Sequence, residues 1–269
     1  MATIDPTIGR RSTGLGVSTF AVAKRGMLRY LRTPQLVVLG TIQGAMFLLI
    51  FRYVFGGAID IGGIGYVDFL VPGFVVTGLL FTGMGAATAM AEDLEQGFVD
   101  RLRSLPIPRS SVLAGRAAAD TAMHTWSLAI TIAIGFAVGF RIHGSATDAL
   151  LAFGLCVAFG FAFEWLFITL GLVAGTAQAA QGMALLVFPL TFVSSAYVPV
   201  ESMPGWLQAF AEHQPVTYMV DAVRALTLGP EAETLLGHPA GYFVTRSLLW
   251  AVGIAVVFAA TAIAEYRRS

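Results

Sequence analysis

Lysine is almost absent from this chain. Its single copy, Lys24, is followed by Arg25, so no G-x-x-x-x-G-K-[ST] phosphate-binding loop can be written anywhere, and the polypeptide is not expected to be its own ATPase. Cysteine is equally scarce: Cys156 alone excludes an intramolecular disulfide and any thiolate metal cage, and its apolar neighbours describe a buried, inert thiol. The four histidines, His124, His143, His213 and His238, are scattered and form no H-E-x-x-H pair, and there is no G-x-S-x-G elbow. Neither a metal site nor a catalytic centre is expected. Charge is thin, at 12% of residues against roughly 25% in ordinary soluble domains. The 16 basic and 16 acidic side chains cancel, which leaves no electrostatic case for a nucleic-acid partner.

Apolar residues fill the space these absences leave. They make up 57% of the 269 positions, glycine adds 30 more, and the mean hydropathy is +0.77. A water-soluble fold has no interior large enough to hide that share. A spanning helix needs about 20 mostly apolar residues, because lipid offers no partner to an open backbone amide. Six stretches qualify: 36–55, 69–90, 117–140, 149–174, 182–197 and 245–264. The fifth is short and contains Pro189, which predicts a kinked or broken helix. The first apolar run begins too far in, and runs too long, for a cleaved signal, so the N-terminus is expected to be retained.

Positive charge near span ends stays on the cytoplasmic side. With both termini inside, Arg10, Arg11, Lys24, Arg25, Arg29, Arg32, Arg101, Arg103, Arg109, Arg116, Arg267 and Arg268 share that side, twelve of the 16 basic residues. The opposite side carries Asp60, Asp68, Asp148, Glu201, Glu212, Asp221, Glu231 and Glu233 with little beyond Arg141, Arg224 and Arg246 to balance them. This asymmetry predicts six spans in the plasma (inner) membrane with both ends in the cytoplasm. No repeat or inverted symmetry stands out.

The chain divides into a loose tail at 1–17, rich in Gly, Ser and Thr, an amphipathic segment at 18–34, and the spans at 35–269. In the second segment Phe20, Met27 and Leu31 share one helical face while Lys24, Arg25, Arg29 and Arg32 crowd another, and Thr33-Pro34 ends the pattern. Such a helix lies in the anionic inner headgroup layer; its charge also serves topology alone.

The loop after span two is the most informative soluble stretch. Glu92, Asp93 and Glu95 open it, Arg101 and Arg103 close it, and Leu94, Phe98, Leu102 and Leu105 make an apolar stripe, which predicts a short cytoplasmic helix stopped by Pro106 and Pro108. The stripe is covered either by the chain's own underside or by a second protein. After span five, two short apolar, proline-punctuated segments around Trp206 and Tyr218 predict short outer-leaflet helices or a re-entrant pair. Glu164 lies within span four between Phe163 and Trp165, where a carboxyl is costly and must be paired, protonated or turned to a polar cavity; these three are candidates for a translocation path or gate. Gly73, Gly78, Gly83 and Gly85 let span two pack closely or slide.

Three stretches resemble the permeases of ABC type-2 exporters of the daunorubicin-resistance group. They are Asp93-Leu94-Glu95-Gln96-Gly97-Phe98 running to Leu105-Pro106 and Gly115-Arg116, Val198-Pro199 with Met203-Pro204-Gly205-Trp206-Leu207, and His213-Gln214-Pro215-Val216-Thr217-Tyr218 with Asp221-Ala222-Val223-Arg224-Ala225-Leu226. Many members have Asn at the position of Gln214. The resemblance implies an all-α integral membrane protein of six transmembrane helices, with an N-terminal interfacial helix, a cytoplasmic coupling helix and short outer-leaflet helices before the last span. It implies a second permease, identical or homologous, surrounding membrane lipids, and a separate nucleotide-binding subunit that holds ATP and Mg, so that this chain needs no cofactor. Glu92, Asp93, Glu95, Phe98, Leu102 and Leu105 become the expected ATPase contacts, and the expected cargo is an amphiphilic drug or a lipid. A proton-coupled carrier titrating Glu164, or a structural membrane subunit, is the alternative.

Overall fold

The computed structural model describes residues 14–32, 42, 44–56, 64–103 and 108–268. Among them every regular element is a helix: α1 (Leu15–Arg32), α2 (Gly44–Val54), α3 (Tyr66–Glu95), α4 (Phe98–Arg103), α5 (Arg109–Ala137), α6 (Ala146–Ala174), α7 (Ala177–Leu185), α8 (Phe188–Phe192), α9 (Gly205–Ala211), α10 (Pro215–Leu228), α11 (Glu231–Leu236) and α12 (Ala240–Arg268). Most of the tail, Thr33-Pro34, the start of the first expected span, Asp60 and Leu105 lie outside the described residues.

Three helices, α3, α6 and α12, are long and apolar enough to cross a membrane. The helix α6 is apolar on every side, which suits its central place against α3, α5, α10 and α12. Its start is fixed by a capping box in which Ser145 and Asp148 exchange hydrogen bonds, and its end by Gly175 at φ +70°. Along α12, Leu249, Val252, Val256 and Val257 are exposed apolar side chains, the outer face of a lipid-facing helix. The helix α5 matches these in length at 29 residues, but its first half carries Arg116, Asp120 and His124.

The fifth expected span is divided. Helix α7 begins at Ala177, turns at Leu186–Val187, and resumes as α8, which ends at Phe192; Pro189 falls at the start of α8, where its missing N–H costs nothing. The expected cytoplasmic helix is divided too. Glu92, Asp93 and Leu94 belong to the last turn of α3, and Gly97 at φ +64° separates them from α4. Only a residue without Cβ takes that conformation easily, so the stripe from Leu94 to Leu102 bends at one point.

The core has two parts. The larger joins α3, α6, α10 and α12; the smaller collects Met90, Val99, Leu113, Ile168, Leu172 and Tyr266 from the ends of α3, α4, α5, α6 and α12, so these termini share one end of the bundle. At the opposite end Arg224 of α10 is wholly buried. Its Nη1 donates to Asp221 at 2.8 Å, its Nη2 to the carbonyls of Phe69 and Ser195 at 3.0 and 2.9 Å, and its guanidinium lies 3.7 Å over the Phe69 ring. Burial lowers this guanidinium to about 10 while Asp221 opposes the shift, so it keeps its charge at neutral pH.

Candidate functional site: a charged cluster on the wall of a long cavity

Helix α1 runs along α5 in the same direction, and glycine decides how closely. A Cβ on Gly26 would sit 2.7 Å from the Cβ of Ala119, and one on Gly115 would sit 2.7 Å from the Thr19 carbonyl. Ser18, Val22, Gly26 and Tyr30, four residues apart, therefore form the docking face, while Phe20 and Leu31 stay exposed at about 70%. This approach carries the Tyr30 hydroxyl to Asp120, where it donates to Oδ1 at 2.8 Å.

Around Asp120 four elements converge. Arg116, one turn earlier, pairs with Asp93 at the end of α3 and stands 3.4 Å from Asp120 Oδ2. His124, one turn later, places Nε2 3.6 Å from Glu164 Oε2 on α6, too long for a hydrogen bond. Glu164 is fully buried, comes within hydrogen-bonding reach of Asp120, and neither of its oxygens receives a hydrogen bond from a protein donor. Three carboxyl groups thus surround one guanidinium. Arg116, expected in a cytoplasmic loop, lies instead inside α5 with its charge consumed by this cluster.

The cluster forms part of the wall of a 740 Å³ cavity bounded by α1, α2, α3, α4, α5 and α8. At one end stand Arg25, Glu92, Asp93, Phe98 and Leu102, with Arg25 lying 3.6 Å over the Phe98 ring. In the middle are Tyr30, Arg116, Asp120 and His124. At the other end is an aromatic box: Tyr197 stacks on Phe51 at 5.1 Å, meets Phe74 and Phe192 at 5.3 and 5.2 Å, and donates to Thr77 at 3.0 Å.

Among the coupling candidates, Glu95 is exposed, and Glu92, Asp93, Phe98 and Leu102 line the cavity's end, Asp93 being tied to Arg116. Leu94 and Leu102 pack on the smaller core, so part of the stripe is covered by the chain itself. Phe163 and Trp165 are buried in the two cores, Phe163 tilted on Phe159 at 4.6 Å and Trp165 edge-on to Phe161 at 6.2 Å; neither they nor Glu164 reach the cavity surface. Asp120 and His124, which are not among the residues expected from the sequence, line it beside Tyr30 and Arg116. Their signal was present: Arg116, Asp120 and His124 recur every four residues, one polar stripe along an expected span.

A family model described as ABC-2 type transporter matches residues 17–228, from α1 to the end of α10. A daunorubicin resistance ABC transporter permease protein, DrrB1, of Streptomyces coeruleorubidus is 31% identical over 245 residues, 90% of this chain and 83% of its own length. The probable doxorubicin resistance permease DrrC of Mycobacterium tuberculosis is 26% identical over 93% of this chain and 88% of its own. The probable multidrug permease YbhR of Escherichia coli is 26% identical over 61% of this chain and 44% of its own.

Proposed function

Because this chain belongs to the ABC-2 type transporter family and is an integral membrane protein, we propose that it is the transmembrane subunit of an ATP-driven exporter, which moves amphiphilic drugs or lipids out of the cytoplasm or the inner leaflet. The family match carries the reading, and the names of the relatives, permeases of daunorubicin, doxorubicin and multidrug systems, support efflux over uptake. ATP and Mg bind to a separate nucleotide-binding subunit. That subunit docks at the end of α3 and on α4, through Glu92, Asp93, Glu95, Phe98, Leu102 and Leu105. Both termini then face the cytoplasm of a plasma-membrane protein with six spans.

A second permease, identical or homologous, completes the path. The exposed apolar side chains of α2 and α8, among them Phe47, Phe188 and Phe192, stand beside the cavity and suit such a neighbour. ATP closes the two ATPase subunits, the α3–α4 bend moves, and the spans beside the cavity tilt to change its access. For this to do work, ATP must bind the closed state more tightly than the open one.

The test is Phe98→Ala combined with Leu102→Ala, purified with the cognate ATPase. The variant is expected to lose the ATPase on co-purification, or to keep it without drug-stimulated hydrolysis. Normal assembly with normal stimulation overturns the docking surface. Vesicles holding the permease alone should move no cargo, with or without a proton gradient.

A further inference from the structure

The structure assigns a positioning role to Gln214: from the start of α10 its side chain fixes the end of α8, and with it the rings of Phe188 and Phe192 that wall the aromatic end of the cavity. Its meaning for transport rests on the exporter reading above; the tether itself does not. The helix α8 has five residues, too few to stay helical unaided. The carbonyls around its end therefore need partners from elsewhere. The Thr191 hydroxyl donates to the Phe188 carbonyl at 2.7 Å, the Val193 amide to Pro189 at 2.9 Å, and the Ser194 hydroxyl to Thr191 at 2.7 Å. The carbonyls of Leu190 and Val193 accept from Gln214 Nε2 at 3.1 and 3.0 Å.

Gln214 reaches both carbonyls because its other end is fixed. It is buried just before α10, where its Oε1 accepts from the Val216 amide at 3.1 Å and caps that helix, while Nε2 also donates to Thr217 Oγ1 at 3.1 Å. One amide thus closes α8 and opens α10. Four residues along the chain from Thr191 the same helix takes hold again: Asp221 accepts from the Ser195 hydroxyl at 2.7 Å, and Arg224 donates to the Ser195 carbonyl at 2.9 Å. The segment 190–195 is therefore anchored to α10 at both ends. The rings that flank it, Phe188, Phe192 and Tyr197, all line the cavity, Phe192 standing 4.8 Å from Phe188 and 5.2 Å from Tyr197. Gln214 does not line it, so its influence passes through these rings.

Gln214→Glu keeps the length and an oxygen for the α10 cap but removes the donor. In lipid nanodiscs, para-fluorophenylalanine in place of Phe192 reports that ring by fluorine NMR, and the same label in place of Phe159, buried in α6, is the control. The variant is expected to shift and narrow the signal at position 192 and leave that at 159 unchanged. With the cognate ATPase present, the doxorubicin concentration for half-maximal stimulation of hydrolysis should rise about fivefold or more, a larger change than in the maximal rate. An unmoved signal at 192, equal shifts at both labels, or a fall in maximal rate alone overturns the role. If Gln214→Glu does not fold, Gln214→Met, uncharged and of similar length, is read in the same way. If neither folds, hydrogen exchange on the unaltered protein decides: 190–195 opening together with 214–224 supports the tether, and 190–195 opening about tenfold faster overturns it. Absence of stimulation in the unaltered protein counts against the exporter reading, and the two labels still decide the tether.

Discussion

Tyr30 and Asp120, 90 residues apart in the chain, are joined by a 2.8 Å hydrogen bond that fixes α1 to the buried charge cluster. One hydroxyl therefore links α1 to the cavity wall. Tyr30→Phe keeps the ring and removes the donor. A hydrogen bond to an ionised group contributes about 1.5–3 kcal/mol, so amide exchange across α1 should accelerate roughly tenfold or more, with α6 unaffected. Exchange mass spectrometry in nanodiscs reads this directly, and unchanged protection of α1 would show that Gly26 and Val22 hold the helix without Tyr30.

The glycines of α3 are not equivalent. A Cβ on Gly73 would lie 2.0 Å from the Ala196 carbonyl oxygen and one on Gly83 2.4 Å from the Phe167 ring, whereas nothing stands within 4 Å of one on Gly78. Gly73→Ala must push backbone from backbone, with an expected cost of about 1–3 kcal/mol. Gly78→Ala should be neutral or stabilise by up to about 1 kcal/mol through helix propensity. Thermal unfolding of the two variants in the same detergent separates them; similar melting temperatures would remove the claim of close contact at Ala196.

Replacing Arg224 with methionine leaves Asp221 buried beside two carbonyls that have lost their donor. Breaking such a pair costs about 3–5 kcal/mol, enough to lower expression and melting temperature sharply. Lysine should not rescue, because a single ammonium cannot reach Asp221, Phe69 and Ser195 in the fork that the guanidinium makes. A lysine variant with normal stability would mean that charge alone is needed there.

Asp93 and Glu95 lie two residues apart and should behave differently. Asp93 is paired with Arg116, and Glu95 is exposed. Asp93→Asn is expected to lower the melting temperature. Glu95→Lys should leave the stability within about 0.5 kcal/mol of the unaltered protein while weakening capture of the ATPase. Loss of stability in Glu95→Lys with intact capture would place the docking contact elsewhere.

Hydropathy located α3, α6 and α12 because lipid and packing both reward uninterrupted apolar surface there. It described α5 less well: its apolar half was visible, but the polar stripe of its first half has meaning only once α1, α3 and α6 stand around it. The docking face of α1 was hidden for a related reason. Ser18, Val22 and Gly26 are small and weakly apolar, so the periodicity drew attention to Phe20 and Leu31, which face outward. Pro189 announced the break between α7 and α8. Gly97 gave less warning, since an isolated glycine in an amphipathic pattern does not by itself specify a positive φ. Glu164 stands out in the sequence as a carboxyl within an apolar run, but its neighbours Asp120 and His124 are set by tertiary packing.

The bend at Gly97 has a mechanical consequence. From Gly73 to Glu95 the third helix is one rod of about 34 Å, at 1.5 Å per residue. Rotating such a rod by about 5° around its Gly97 end sweeps its far tip through roughly 3 Å. A small rotation at the α3–α4 bend would thereby be enlarged at Phe74, near the far end of the rod, enough to part its ring from Tyr197.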